Sequence, residues 1–267
     1  MALAKGEVQN LLVMGKSGAG KQPRIDVLVE EFGLEQLSTG NIFREYLGRF
    51  DGIGFTGDLA SFYDGTREDF IPDEEIAAAL GDRAPAAHRA DLVLGAKAKY
   101  FIEAGRFVPD RITNALFAGY FTRAGCRGMV LDGYPRTVDQ AAFLLDLVEK
   151  EGTRIDAIIL VDNEDEAIVA RTTGRRICPE CKKVFHLEFK PPREGRFCTA
   201  CGAEVILRSD DTEEKIRHRL REFHEKAAPA LAYLEEKGIP RTDVPGNLPL
   251  FTDAAVRESV LAALARL

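Results

Sequence analysis

Residues 15–21 read Gly-Lys-Ser-Gly-Ala-Gly-Lys, with glycines at 15 and 20 and a lysine at 21. Glycines at that spacing let a backbone loop wrap a phosphate and turn successive N–H groups onto its oxygens, while the lysine neutralises the β and γ oxygens of a nucleotide. The phosphate-holding set this defines is Gly15, Ser17, Gly18, Ala19, Gly20, Lys21 and Gln22. A glycine-rich turn of no special function has the same local look. Two residues depart from the usual cradle. The position after the lysine usually carries Ser or Thr for Mg²⁺, and here it is Gln22; Pro23 follows and has no N–H to offer an anion. Proline is accommodated in the first turn of a helix, where its φ is already required, so the loop is expected to work with a weaker grip, unless the Gln22 amide or Arg24 reaches in.

A second group of residues has metal chemistry. Cys178-x-x-Cys181 and Cys198-x-x-Cys201 are two knuckles separated by sixteen residues, a spacing with which a β-hairpin can gather four thiolates into a tetrahedron. All four positions would be filled by protein, leaving no place for a reactive water, so the metal expected is a structural Zn²⁺ stapling a segment too small for its own core. The alternatives are a disulfide pair and a nucleic-acid-binding zinc ribbon, which the acidic neighbours Glu180, Glu194 and Glu204 disfavour. His186 reads as a hairpin residue and Cys126 as a small buried apolar one.

The elements that must position these groups alternate between strand and helix. Val8–Met14 is an apolar run before the glycine loop, and Ile25, Leu28, Val29 and Phe32 behind it are spaced for a helix. Met129–Leu131 and Ile155–Val161 read as buried parallel strands, each followed by a helical pattern. An amphipathic pattern runs from Asp211 to about Gly238, interrupted near Pro229, and a last helix is expected from about Ala254 to Leu267. The fold class is α/β, a parallel sheet flanked by helices. Two regions break the rhythm: 48–94, rich in Gly and Asp with scattered aromatics, and 174–209, which holds the cysteine quartet.

The chain has 267 residues, 45% of them hydrophobic, enough for a buried core. Its net charge of −7 argues against generic nucleic-acid binding, and no segment approaches the ~18 uninterrupted apolar residues of a membrane span. A cytoplasmic protein is expected, with no nucleic-acid or membrane partner.

Leu37-Ser38-Thr39-Gly40-Asn41-Ile42-Phe43-Arg44, Leu131-Asp132-Gly133-Tyr134-Pro135-Arg136-Thr137 with Gln140, and Thr173-Gly174-Arg175-Arg176 follow the phosphate loop in this order. Together they resemble the adenylate kinase family in its long form with a zinc-binding lid, over nearly the whole chain except 48 to about 94. The resemblance implies reversible phosphoryl transfer from ATP to AMP giving two ADP, with Mg²⁺ accompanying ATP, in the service of adenine nucleotide balance. It implies that Thr39, Arg44, Phe107, Val108, Gly133, Arg136 and Gln140 hold AMP, the segment from Gly105 to Val108 facing its adenine. Asp132 would organise Mg²⁺ through water. Lys21, Arg136, Arg171, Arg175, Arg208 and Arg219 would form the catalytic cage, with Arg171 and Leu248 on the ATP side and the donor base read by backbone near Gly246–Pro249. Such a cage suits the reaction, since the acceptor is already an anionic oxygen and catalysis is alignment plus neutralisation of spread negative charge.

The resemblance divides the chain into core (1–37), an AMP-binding domain (38–109) carrying the insertion at about 48–94, core (110–173), a zinc lid (174–210) and core (211–267). The insertion reads as an elaborated loop, a partner site or a contact between copies. Self-association is the favoured expectation, because Phe50, Phe55, Phe62, Tyr63 and Phe70 need a surface to cover them. Two other functions stay open: a kinase for a different monophosphate or donor base, and a nucleotide sensor that lost turnover through Pro23. The cage speaks against the sensor, which would not need arginines in both core and lid.

Overall fold

The computed structural model describes residues 6–104, 106–188, 190–207, 211–248 and 252–267. Five strands form a wholly parallel sheet in the order β2-β5-β1-β6-β9: β1 (Asn10–Met14), β2 (Glu35–Ser38), β5 (Met129–Asp132), β6 (Ala157–Asp162) and β9 (Arg241–Pro245). Side chains alternate across it and both faces are covered. Leu12 and Met14 of β1, with Ile158 and Leu160 of β6, enter one apolar cluster; Leu11 and Val13, with Ile159 and Val161, enter the other. That is why these strands read as continuous hydrophobic runs instead of alternating ones.

The helices follow from the same arithmetic. Helix α1 (Lys21–Phe32) starts at Gly20, whose φ of 97° is left-handed, and buries Ile25, Val27 and Leu28. It packs with α10 (Asp253–Leu264), α7 (Asp165–Thr173) and α8 (Glu213–Glu222) around the second cluster. Helices α2 (Thr39–Gly52), α5 (Asp110–Arg123), α6 (Val138–Lys150) and α9 (Ala228–Glu236) cover the first. A π-helical turn, Phe223–Ala227, joins α8 to α9 where the sequence placed its interruption.

The insertion is built into the first cluster. Helix α2 runs on to Gly52 and places Phe50 one turn beyond Tyr46, both buried. A short hairpin of β3 (Tyr63–Asp64) and β4 (Asp69–Phe70), α3 (Asp73–Leu80) and α4 (Arg89–Glu103) complete it. Phe50, Phe62 and Phe70 are almost fully buried, and Phe55 and Tyr63 pack against the same cluster. This corrects the expectation that they require a second copy of the chain, because the chain itself covers them.

The cysteine segment carries a separate hairpin, β7 (Arg175–Ile177) with β8 (Val184–His186), and its apolar cluster is only Cys178, Phe185, Cys198 and Val205 with Ala203 against them. No helix among the described residues is long and apolar enough to cross a membrane.

Candidate active site

A cleft of about 780 Å³ opens at the carboxyl ends of β1, β2 and β5, where ligands of open parallel sheets bind. The phosphate loop, Thr39 and Arg44 of α2, and residues 132–137 with Gln140 line it. The loop's tight backbone explains its glycines: a Cβ on Gly15 would run into the Val161 carbonyl, and one on Gly18 would sit 2.9 Å from Ile168 and Thr172. Lys21 lies across the loop and donates to the carbonyls of Gly15 (2.9 Å) and Lys16 (3.1 Å). Burial lowers its pKa, Asp132 opposes that, and Arg136 adds to it. A lysine so placed has every electrostatic reason to take an anion.

Three cations of the expected cage, Lys21, Arg136 and Arg219, meet in this cleft, together with Arg44, which was expected on the AMP side. Arg136 is exposed, with its Nε on the Gly133 carbonyl at 2.8 Å and its backbone N–H on Gln140 Oε1 at 2.8 Å. Arg219 comes from α8 and donates to Ser17 Oγ at 3.2 Å. Arg44 reaches back to Asn41 Oδ1. The other two described arginines lie beside the cleft. Arg171 donates to the Gly246 carbonyl at 3.3 Å, its pKa lowered by burial and by Arg175. Arg175 makes a two-pronged pair, at 2.8 and 2.6 Å, with the fully buried carboxylate of Asp211. Arg208, Gly105 and Pro249 lie outside the described residues. Leu248 packs against the second cluster, and Gly246, whose amide bonds Asp162 O at 2.5 Å, approaches Ala19 so closely that a Cβ would overlap the Ala19 carbonyl.

Elsewhere in the cleft, Thr39 is buried and its hydroxyl donates to the Asp132 carbonyl at 3.1 Å, while a Cβ on Gly133 would overlap that hydroxyl. The Gln140 amide is occupied at both ends, by Arg136 N–H and, at 2.7 Å, by Asp110 Oδ1. Asp110 also accepts from Thr137 Oγ1 at 2.6 Å. Phe107 is 68% exposed at the cleft mouth with Lys226 Nζ 4.6 Å from its ring centre, and Val108 is half-buried behind it.

Two contributors, Asp110 and Gln36, were missed from the sequence, and Arg24 is placed otherwise than it allowed. Asp110 orients Gln140; its only signal is an acidic residue after Pro109 at a helix start. Gln36 donates to Asp132 Oδ2 at 3.3 Å and exchanges hydrogen bonds with Gln22 at 2.9 and 3.2 Å, so Gln22 leans toward β2 and away from the cradle. Arg24 is fully buried on the inner face of α1, donating to Pro245 O at 2.6 Å and Gly20 O at 3.2 Å; burial and the neighbouring Arg171 bring its pKa down to about 10. Neither Gln22 nor Arg24 replaces the amide that Pro23 lacks.

The four cysteines converge. Their sulfurs all lie within 4.8 Å of one another, with separations of 3.4 Å (178–201), 3.5 Å (181–198) and 3.7 Å (181–201). A tetrahedron with Zn–S near ~2.3 Å has edges of about 3.8 Å, so the cluster fits that ion.

The sequence profile of the adenylate kinase family matches residues 64–239, more than half of the chain. The adenylate kinase of Symbiobacterium thermophilum is 35% identical over 256 residues, covering 95% of this chain and 99% of its own. The chain belongs to the adenylate kinase family. The adenylate kinases of Desulforamulus reducens (34% over 231 residues, 86% of this chain and 89% of its own) and Bacillus cytotoxicus (33% over 230 residues, 86% and 88%) agree. Like other adenylate kinases, it binds ATP, AMP and ADP and transfers a phosphoryl group from ATP to AMP, giving two ADP. Adenylate kinases use Mg²⁺ with ATP, and the metal enters with that substrate.

Proposed function

We propose that the cleft is the phosphoryl-transfer centre and that its residues divide as follows. Gly15, Ser17, Gly18, Ala19, Gly20, Lys21 and, through its backbone amide alone, Gln22 hold the donor phosphates, with Arg171 and Leu248 on the donor's outer side. Thr39, Arg44, Phe107, Val108, Gly133, Arg136 and Gln140 hold AMP. The observation that carries this reading is the meeting of Lys21, Arg44, Arg136 and Arg219, with Asp132 among them, in one cleft at the strand ends.

An oxygen of the AMP phosphate attacks the terminal phosphorus of ATP, and the bond from that phosphorus to the bridging oxygen breaks, releasing ADP on both sides. No group need take a proton. Lys21 neutralises the donor oxygens, and the planar forks of Arg136 and Arg44 align the acceptor phosphate while staying charged. Asp132 holds the water shell of the cation that ATP brings. Arg175 and Arg208 complete the cage when the 174–210 segment folds over the donor; Arg175 then exchanges Asp211 for phosphate. Covering the site keeps water, a competing acceptor, away. Zn²⁺ on Cys178, Cys181, Cys198 and Cys201 serves folding alone, and four cysteines not joined in disulfides suit a reducing, cytoplasmic setting.

Arg136→Lys tests the reading. Replacing a fork with a point charge in a transition-state clamp commonly costs a factor of ~10² or more in turnover, so a coupled assay should lose at least that much while the fold survives. Near-normal turnover would exclude Arg136 from the cage.

A further inference from the structure

Arg106 lines the cleft beside Phe107, and its guanidinium makes no ion pair or side-chain hydrogen bond among the described residues. It is held instead by rings. Its central carbon lies 5.0 Å from the centre of Phe101, 5.7 Å from Tyr63 and 6.0 Å from Tyr100. Tyr63 belongs to the insertion's hairpin and stacks on Tyr100 of α4 at 4.8 Å, with Phe70 edge-on at 5.2 Å. The same hairpin holds the chain on the far side of Phe107 and Val108: Asp69 pairs with both terminal nitrogens of Arg111, in the first turn of α5. That pairing keeps the Asp69 carboxyl below its usual range. Next along the insertion, Asp73 pairs with Lys97. The segment that carries Phe107 and Val108 is therefore pinned at both ends by residues of the insertion.

We propose that the insertion's hairpin is a positioning element for the acceptor: Tyr63 and Asp69 fix the Arg106–Arg111 wall and hold the Arg106 charge at the cleft mouth for an anionic nucleoside monophosphate. Rings and charge divide the work. A cation fixed by aromatic faces keeps its N–H groups for a ligand, whereas one fixed by a carboxylate would already be neutralised. This rests on the assignment of the Phe107 side of the cleft to AMP.

The test is steady-state kinetics of the full chain with AMP as varied substrate, for Tyr63→Ala, Tyr63→Phe, Asp69→Asn and Arg106→Gln, alongside hydrogen exchange of residues 101–111. Tyr63→Ala and Arg106→Gln should each raise the KM for AMP about fivefold, with kcat and the KM for ATP within twofold of the parent. Tyr63→Phe keeps the ring and should behave as the parent. Tyr63→Ala and Asp69→Asn should speed exchange in 101–111, and Arg106→Gln should not. If Tyr63→Ala fails to fold, Asp69→Asn, whose pair is half-exposed, carries the same readout. An unchanged KM for AMP where exchange has risen overturns the proposal. In the parent, AMP should slow exchange in 101–111; absence of that protection overturns the site assignment and the proposal together, whereas protection with unchanged KM in the variants overturns the proposal alone.

Discussion

Pro23 is the third residue of α1, a position whose N–H has no partner within the helix and is free for a phosphate oxygen. Removing it leaves the helix intact and takes one donor from the cradle. A charge-assisted hydrogen bond of this kind is worth ~1.5–3 kcal/mol, so the donor site should be weaker by about tenfold or more than one with the amide. The structure sharpens this, because Gln22 is spent on Gln36 and Asp26, and Arg24 on the Gly20 and Pro245 carbonyls. Gln22→Gly combined with Pro23→Thr should therefore tighten ATP about tenfold and leave AMP almost unchanged, as titration calorimetry would show. An unchanged or weaker ATP affinity would mean that the loop has another source of grip. The weaker grip was readable beforehand; where Gln22 and Arg24 point was not. The spacing of Gly15, Gly20 and Lys21 announces a phosphate loop, but whether Arg24 faces phosphate or core depends on the Pro245 carbonyl, 221 residues away.

Among elements, the cysteine segment depends most on something other than its own packing. Four buried residues around one small cluster cannot hold 174–207 together, so a metal on the four cysteines would supply the folding energy. One Zn²⁺ per chain should be found by elemental analysis. Chelation should speed hydrogen exchange in residues 174–207 before the parallel sheet melts; simultaneous loss of both would refute the division. The knuckle spacing made this cluster legible. Strand β9 was not, because Thr242 and Val244 are buried while Arg241, Asp243 and Pro245 are exposed, an edge-strand pattern that reads as a polar loop. Helix α2 was not read as a helix at all; its first residues were recognised only as a motif. Gly48 and Gly52 suggest an irregular stretch, and only packing against α4 shows that the helix continues to carry Phe50 inward.

At the scale of the whole molecule, the sheet separates two apolar clusters. One contains the insertion, α2, α4 and the face of β1 behind the side proposed for AMP; the other contains α1, α7, α8 and α10 behind the phosphate loop. Replacing residues 50–92 with a short Gly/Ser linker would remove Leu59, Phe62, Phe70, Ile76 and Leu80 from the first cluster. At about 1.5–3 kcal/mol for each such side chain, the loss is on the order of 10 kcal/mol, comparable with the whole stability of a domain. The variant should lose its cooperative thermal transition or melt far below the parent in calorimetry; a near-parental transition would show the insertion to be an ornament. The two clusters have a further consequence for how such a protein changes over generations. A substitution that softens one side of the sheet perturbs the pocket on that side and leaves the other supported, so preference for the phosphate giver and for the phosphate taker can drift separately. Insertions of any length are then best tolerated where this chain carries its own, on the taker's side, away from the loop that every donor must share.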